Sequence, residues 1–167
     1  MYFLHEKSQL MSEFASKGKL SECRWLVSRG VDINTLDNCG RSPLHLAVKG
    51  NHIKLVKYLI ENGADVNAKS MFDLSALHFA ACDGNLEICQ LLVLSRADPN
   101  SIAMRGWTPL IAAVMFNHYD VVDYLLKSGA DPSASNAMGK TALCYAYERE
   151  NLEMSQLLEK FVHQHNQ

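Results

Sequence analysis

Hydrophobic residues recur along this chain at intervals of 33 residues. One series of leucines occupies a single phase of that interval: Leu44, Leu77, Leu110 and Leu143. A second series occupies another phase: Leu26, Leu59, Leu92, Leu125 and Leu158. Such a period predicts units that cannot bury their apolar faces alone and that fold by stacking on one another. We expect five copies, of which the first is degenerate, at residues 4–36, 37–69, 70–102, 103–135 and 136–167.

Each copy contains the signals for two short helices. Ser42-Pro43 is typical of a helix start, because the serine hydroxyl caps free N–H groups and proline lacks one of them. A helix of about two turns is predicted over residues 43–49. The second helix begins near Ile53, has apolar residues at helical spacing, and ends at Asn62-Gly63, where glycine favours the left-handed residue after a helix. Five copies therefore predict ten short helices and no extended sheet.

The third copy departs from this pattern at two turns. Asp73 and Arg96 stand at phases that are glycine in most other copies. Where such a position has positive φ, arginine is disfavoured by about 1 kcal/mol relative to glycine, and aspartate is better tolerated. We therefore expect the third copy to be the least regular.

The loops and first helices carry a motif. Residues 40–47 read Gly-Arg-Ser-Pro-Leu-His-Leu-Ala, and residues 106–110 read Gly-Trp-Thr-Pro-Leu. Residues 63–67 read Gly-Ala-Asp-Val-Asn, and residues 129–131 repeat Gly-Ala-Asp. This pattern resembles the ankyrin repeat over nearly the whole chain. The resemblance implies an all-α solenoid of stacked helix–turn–helix units with projecting β-turn or hairpin loops.

The resemblance also implies roles for two histidines and for one surface. His45 and His78, which share a repeat phase, are expected to bond loop backbone and to join neighbouring repeats. Protein partners are expected to bind the concave surface formed by the loops and first helices. A role for this histidine pair as a base or as metal ligands is the alternative, but a metal site needs three or four convergent ligands, which the sequence does not supply.

The last copy differs from the others in the polarity of its second helix. Ser155 and Glu159 occupy phases that hold valine, isoleucine, leucine or cysteine in the earlier copies. A terminal repeat needs a polar outer face, so both side chains are expected to face water. We therefore expect residues 1–167 to form a single five-repeat domain whose first and last copies act as caps.

No sequence motif points to catalysis. The chain has no P-loop, dinucleotide fingerprint, Gly-x-Ser-x-Gly or His-Glu-x-x-His, so we expect neither an enzyme nor a bound cofactor or metal. The net charge of −2 provides no basic excess for nucleic acid. The longest apolar run, residues 110–116, is far shorter than the roughly 20 residues of a membrane helix, and early charged residues argue against a signal peptide.

The five cysteines are predicted to be free thiols. Their number is odd and no two form a Cys-x-x-Cys pair, which is typical of a reducing compartment. We therefore expect an intracellular protein, cytoplasmic and/or nuclear. Cys23 and Cys89 share a phase with valines and should be buried, whereas Cys39 lies in a loop and should be exposed.

The variable phases of the loops and of the first-helix ends contain the candidate binding residues. In the central copies these phases carry methionine and aromatic residues, which are favoured at recognition surfaces. The predicted partner-binding residues are Met71, Phe72, Leu74, Met104, Arg105, Trp107, Met115, Phe116 and Met138, with Arg41 and Lys49 as a basic end of the groove. We expect the apolar members to converge into one patch. The alternative is local packing, in particular for Trp107 and Phe72.

The sequence therefore predicts a non-enzymatic module that binds a segment of a partner protein through the groove of its central repeats. The chain is expected to be a monomer. The alternative is a dedicated inhibitor of a kinase or other enzyme, or a regulatory subunit of an enzyme complex. Ankyrin-repeat inhibitors of cyclin-dependent kinases have a similar size but a shortened first helix in the second repeat, whereas residues 43–49 predict a full-length helix.

Overall fold

The computed structural model describes residues 2–165, with the side chains of residues 7–163. Met1, Asn166 and Gln167, at the two ends of the predicted domain, lie outside the described residues. Ten α-helices follow one another in the described part: α1 (Tyr2–Ser16), α2 (Leu20–Ser28), α3 (Pro43–Lys49), α4 (Ile53–Glu61), α5 (Ala76–Cys82), α6 (Leu86–Leu94), α7 (Pro109–Met115), α8 (Tyr119–Lys127), α9 (Ala142–Glu148) and α10 (Leu152–His165). The prediction of ten helices, two per copy, is confirmed, but α1 and α10, with 15 and 14 residues, are longer than the short helices expected.

No extended sheet forms among residues 2–165. Two isolated bridges, between Ala103 and Trp107 and between Ser135 and Thr141, close the loops of the fourth and fifth copies. The fold is therefore the predicted all-α solenoid of helix pairs with projecting loops. Within the same described residues, every helix is too short or too polar to span a membrane.

The helix starts follow the local sequence. Ser42 has extended backbone before Pro43, and its hydroxyl accepts a hydrogen bond from the His45 N–H. Thr108 caps α7 in the same way through the Ile111 N–H. The helices α3, α5, α7 and α9 each have seven residues, because the same start signal and the same following turn recur in every copy.

The helices stack in two layers. The odd-numbered helices lie side by side as the inner layer, and the even-numbered helices form the outer layer. The inner helices of the second to fifth copies approach closely because one buried phase is alanine in each: Ala47, Ala80, Ala113 and Ala146. The outer helices contribute a buried leucine series: Leu26, Leu59, Leu92, Leu125 and Leu158. One continuous core joins all five copies, so each copy buries its apolar face against its neighbours.

The helices of the third copy are as regular as those of its neighbours, which corrects the expectation that this copy is the least regular. Helices α5 and α6 have seven and nine residues, as do the helix pairs on either side. Asp73 and Arg96 do have positive φ, at 57° and 70°, but both lie outside the helices. The irregular loop belongs to the fourth copy, where Arg105 (φ 62°) precedes Gly106 (φ 76°) in a 3₁₀ turn.

The last copy also differs from its prediction. The expectation that Ser155 faces water is wrong, since this residue is 3% exposed. Its hydroxyl donates to the Asn151 carbonyl one turn earlier, at 2.8 Å. A serine is tolerated inside a packed helix when its hydroxyl is bonded in this way. Glu159 is half-buried and accepts a hydrogen bond from the Tyr147 hydroxyl.

Candidate protein-binding surface

Two buried histidines join neighbouring copies and position the loops. The Ser42 backbone N–H donates to Nδ1 of His45 at 3.0 Å, so Nε2 carries the proton and donates to the Leu74 carbonyl at 3.1 Å. Leu74 belongs to the loop of the next copy. The expected bond between this histidine and a neighbouring loop is therefore confirmed.

His78 repeats the arrangement one copy later. Its Nδ1 accepts from the Ser75 N–H at 3.2 Å, and its Nε2 donates to the Trp107 carbonyl at 3.1 Å. Burial lowers the pKa of His78 to about 4 and shifts the pKa of His45 in the same direction, because desolvation disfavours the imidazolium form. Both rings are buried and neutral at pH 7, so they orient loops and do not present a titrating group to solvent.

The loops meet at their tips through backbone hydrogen bonds between successive copies. In each case an N–H of one loop donates to a carbonyl of the loop before it: Met71 to Cys39 at 3.0 Å, Met104 to Phe72 at 3.1 Å and Ala137 to Arg105 at 2.8 Å. We call these residues, together with Met138, which follows Ala137 in the chain, the tip row: Cys39, Met71, Phe72, Met104, Arg105, Ala137 and Met138. All seven residues are exposed, so the tip row is a surface that runs across four copies.

The tip row presents large apolar side chains to solvent. Met71, Phe72, Met104 and Met138 are 51–66% exposed. The Met104 N–H bonds the Phe72 carbonyl and Met71 precedes Phe72 in the chain, so these three exposed apolar residues lie side by side on two adjacent loops. The local-packing alternative is therefore wrong for Phe72. A contiguous exposed apolar patch, unlike scattered single residues, is typical of an interaction site.

Three predicted residues lie deeper than the tip row. Leu74, Trp107 and Met115 are half-buried, and the last two pack against the core. The Trp107 ring centre lies 5.7 Å from that of Tyr145, with the rings inclined by 30°. For Trp107 and Met115 the local-packing alternative holds, because both side chains pack against the core, and Trp107 also contacts Tyr145 of the next copy.

Phe116 lies apart from the tip row. It caps the C-terminal end of α7, is 58% exposed, and stacks on the His118 ring at 6.4 Å. The tip row adjoins the other end of the same helix, and seven helical residues span about 10 Å. The apolar residues therefore lie near both ends of α7 instead of converging into the single patch expected from the sequence.

Two exposed apolar residues near the tip row are missing from the predicted set. Leu36 and Ile102 are both more than half exposed and share a repeat phase. At that phase in the copy between them, Lys69 donates from Nζ to the Ile102 carbonyl at 2.9 Å. An apolar residue recurring at a variable loop phase is the sequence signal by which both could have been found.

The basic residues of the predicted groove differ in their surroundings. Arg41 forms an ion pair with Asp37 at 2.8 Å. Partial burial by itself would raise the pKa of Asp37, but hydrogen bonds from Arg41 and from the Cys39 N–H hold it below its ordinary value. Lys49 and Arg105 are exposed. The groove thus has a neutralised pair at its second copy and exposed cations at Lys49 and Arg105.

The cysteines lie where their phases predict. Cys23 and Cys89 are buried, and burial raises their pKa values to about 11 and about 12, so both thiols stay protonated. Cys39 is exposed in the tip row, and none of the five cysteines is paired. Among the described side chains, no group of three or more His, Cys, Asp or Glu residues is placed to hold a metal ion.

Comparison with known families agrees with this architecture. A model described as ankyrin repeats (3 copies) matches residues 77–166, which is more than half of the chain. A second model, described as ankyrin repeats (many copies), matches residues 11–60 and 47–93. No curated protein gives a significant match to the chain. Together the two family models extend over all five copies.

Proposed function

We propose that this chain, which belongs to the ankyrin repeat family, binds an apolar segment of a partner protein along the groove of its second to fourth copies. Ankyrin repeats generally mediate protein–protein interaction, and the family is typically non-enzymatic. The tip row supplies one side of the binding surface, the half-buried Leu74, Trp107 and Met115 supply the floor, and Phe116 supplies the other side. The protein acts as an intracellular monomer, in keeping with five unpaired cysteines.

The observation that carries this proposal is the placement of Met71, Phe72 and Met104. Two successive loops place these large apolar side chains in solvent on one bonded backbone line. Burying them in a partner removes apolar surface from water at roughly 25 cal/mol per Å². Aromatic anchors within such a surface usually contribute most of the binding free energy.

The inhibitor alternative receives no support from the second copy. Helix α3 has the same seven residues as α5, α7 and α9. The shortened helix of the cyclin-dependent kinase inhibitors is therefore not found in this copy. A general binding module remains the better description.

Peptide selection tests the proposal without an identified partner. Peptides from a random displayed library would be selected against the immobilised protein and their dissociation constants measured. The double variant Met104→Ala/Phe116→Ala removes one exposed apolar side chain from each side of the groove. We expect it to weaken the selected peptides by roughly 30-fold or more, since a truncated anchor costs about 2 kcal/mol. Its melting temperature should change by only a few degrees, because both side chains are largely exposed.

Leu94→Ala is the matched control. Leu94 lies at the end of the outer helix α6 and is 80% exposed, so its truncation removes a similar apolar side chain from the opposite face. The selected peptides should bind this variant as they bind the wild type. An equal loss in both variants, or a collapsed melting temperature with binding retained in the folded fraction, would contradict the proposed surface.

A further inference from the structure

We propose that Met71, Met104 and Met138 form a methionine oxidation site, at which a hydroperoxide converts exposed thioethers to sulfoxides and thereby weakens binding of apolar segments. The site itself is inferred from the positions of the methionines. Its consequence for binding rests on the proposed function, because the same three side chains belong to the tip row.

The methionines whose side chains the structure describes differ widely in their exposure. The three methionines of the tip row are 51–66% exposed, whereas Met11 and Met154 are 0% and 1% exposed. Met115 is half-buried at the end of α7. Oxidation of a thioether follows its exposure, so a solvent-borne oxidant reaches the tip row before it reaches the core.

The chemistry is a two-electron oxygen transfer. A lone pair of the thioether sulfur attacks one oxygen of the hydroperoxide, the O–O bond breaks, and an S–O bond forms. The sulfur is oxidised by two electrons and becomes a sulfoxide. The peroxide is reduced to the corresponding alcohol, or to water when hydrogen peroxide is the oxidant, after the transferred proton reaches the leaving oxygen.

Oxidation of these methionines affects the surface and not the bonds that hold the loops together. The loops of the tip row are joined through backbone atoms, the N–H groups of Met71 and Met104 and the carbonyls they bond. Oxidation of the side chains leaves those bonds intact. A sulfoxide is polar, so three oxidised side chains would replace most of the exposed apolar surface with hydrogen-bond acceptors and leave Phe72 as the largest apolar group there.

The experiment treats the folded chain with hydrogen peroxide and maps methionine oxidation by peptide mass spectrometry over time. Dithiothreitol is added afterwards to reverse disulfides and sulfenic acids at Cys39, which is also exposed. We expect Met71, Met104 and Met138 to oxidise about tenfold faster than Met11 and Met154, with Met115 between them. The melting temperature of the product should change by only a few degrees.

Retention on a native hydrophobic-interaction column measures the change in surface polarity without any partner. Peroxide should shorten the retention of the wild type. It should leave the variant Met71→Leu/Met104→Leu/Met138→Leu unchanged, because leucine keeps the surface apolar and cannot form a sulfoxide. The peptides selected above should bind the oxidised wild type at least about fivefold more weakly than the reduced wild type, whereas peroxide should not change the affinity of the leucine variant from its own untreated value.

The two proposals fail in different ways. Equal oxidation rates for the buried and exposed methionines, or an unchanged retention time after the tip row is fully oxidised, would overturn the oxidation site. Selected peptides that bind the oxidised and reduced wild type equally would overturn its effect on binding. A failure to select any peptide would instead count against the proposed function, while the mapping and retention data would still decide the oxidation site.

Discussion

In this sequence the second to fourth copies are each followed by another copy and the fifth is the last, and residues at the same repeat phase make different contacts in them. His45 and His78 donate from Nε2 to a carbonyl in the next loop. At the same phase of the fifth copy, Cys144 has only a contact to the Thr141 hydroxyl of its own helix start, at 3.4 Å. The histidine link to the next loop is therefore present in the second and third copies, whereas the fourth copy carries Ile111 at this phase and cannot form it although another copy follows.

The loop glycines show the same contrast. A Cβ atom on Gly106 would lie 2.9 Å from the Cα of Asn136, which belongs to the following loop. A Cβ atom on Gly139 would meet no atom within 4 Å. Both glycines have positive φ, so only the neighbouring loop distinguishes them. The stability of such a stack is a sum of local terms and neighbour terms, and these matched positions separate the two.

Replacing His78 by alanine should cause the largest loss of stability among the variants that test this comparison. The change leaves a cavity and removes the partners of the Ser75 N–H and the Trp107 carbonyl, so we expect a loss of about 3 kcal/mol in unfolding free energy. Cys144→Ala, at the equivalent phase of the last copy, should cost less than about 1 kcal/mol. Urea unfolding midpoints measure both. Similar losses in the two variants would mean that the histidine bond contributes little to the coupling of copies.

Acidification should act on the same histidines. The folded pKa of His78 is about 4, below the ordinary value near 6.5, so between these values the unfolded chain binds a proton that the folded chain does not. Stability is therefore complete above about pH 6.5 and falls as the pH drops toward 4, with a loss of about 2 kcal/mol at pH 5 from this residue. Thermal melts at pH 7 and pH 5 measure the loss.

The matched variant for the pH prediction is His78→Gln, which does not titrate in this range. It should be less stable than the wild type at pH 7 but should lose less stability between pH 7 and pH 5. The stabilisation from Asp37 is lost only at lower pH, because its folded pKa lies below its ordinary value. A wild type and a glutamine variant with parallel pH profiles would show that His78 is not the titrating group.

Replacing the loop glycines by alanine should separate the stability cost of backbone strain from the cost of a clash with the next loop. Gly106→Ala and Gly139→Ala both place alanine at positive φ, which costs about 1 kcal/mol. Gly106→Ala must also displace backbone of the next loop, so we expect it to cost roughly 1 kcal/mol more than Gly139→Ala. Urea midpoints that fall equally would indicate that the adjoining loop moves aside freely.

The smallest expected effect is a gain in stability from the relief of backbone strain within one copy. Arg96 has φ of 70°, so Arg96→Gly should raise the unfolding free energy by about 0.5–1 kcal/mol. Arg96→Ala is the control, because alanine keeps the Cβ that disfavours this backbone conformation. The Asn67 amide should keep its bond to the residue-96 carbonyl in both variants. A urea midpoint that rises equally for alanine would point to loss of the arginine side chain and not to backbone strain.

The periodicity of the sequence was sufficient to predict the fold, but it predicted the exposure of the loop residues only in part. The leucine and alanine series predict the helix pairs because each phase has one environment in every copy. At the loop tips, the residue at a given phase differs from copy to copy. The exposure of each side chain there depends on the residues that it contacts. Phe72 and Trp107 illustrate this: both are aromatic residues of the loop region, yet Phe72 is exposed and Trp107 packs beside Tyr145.

The sequence by itself determined the number of copies, the starts of the second helices and the burial of Cys23 and Cys89, because local signals and repeat phase specify them. The resemblance to the ankyrin repeat implied the histidine links. Only the tertiary structure decided which apolar loop residues face solvent, that Phe116 and Met104 are exposed near opposite ends of α7, and that Ser155 is buried. Each of these depends on contacts between copies or on a hydrogen bond within a packed helix. A repeat phase predicts an average environment, whereas the particular side chains of the neighbouring copy decide whether a given residue is covered.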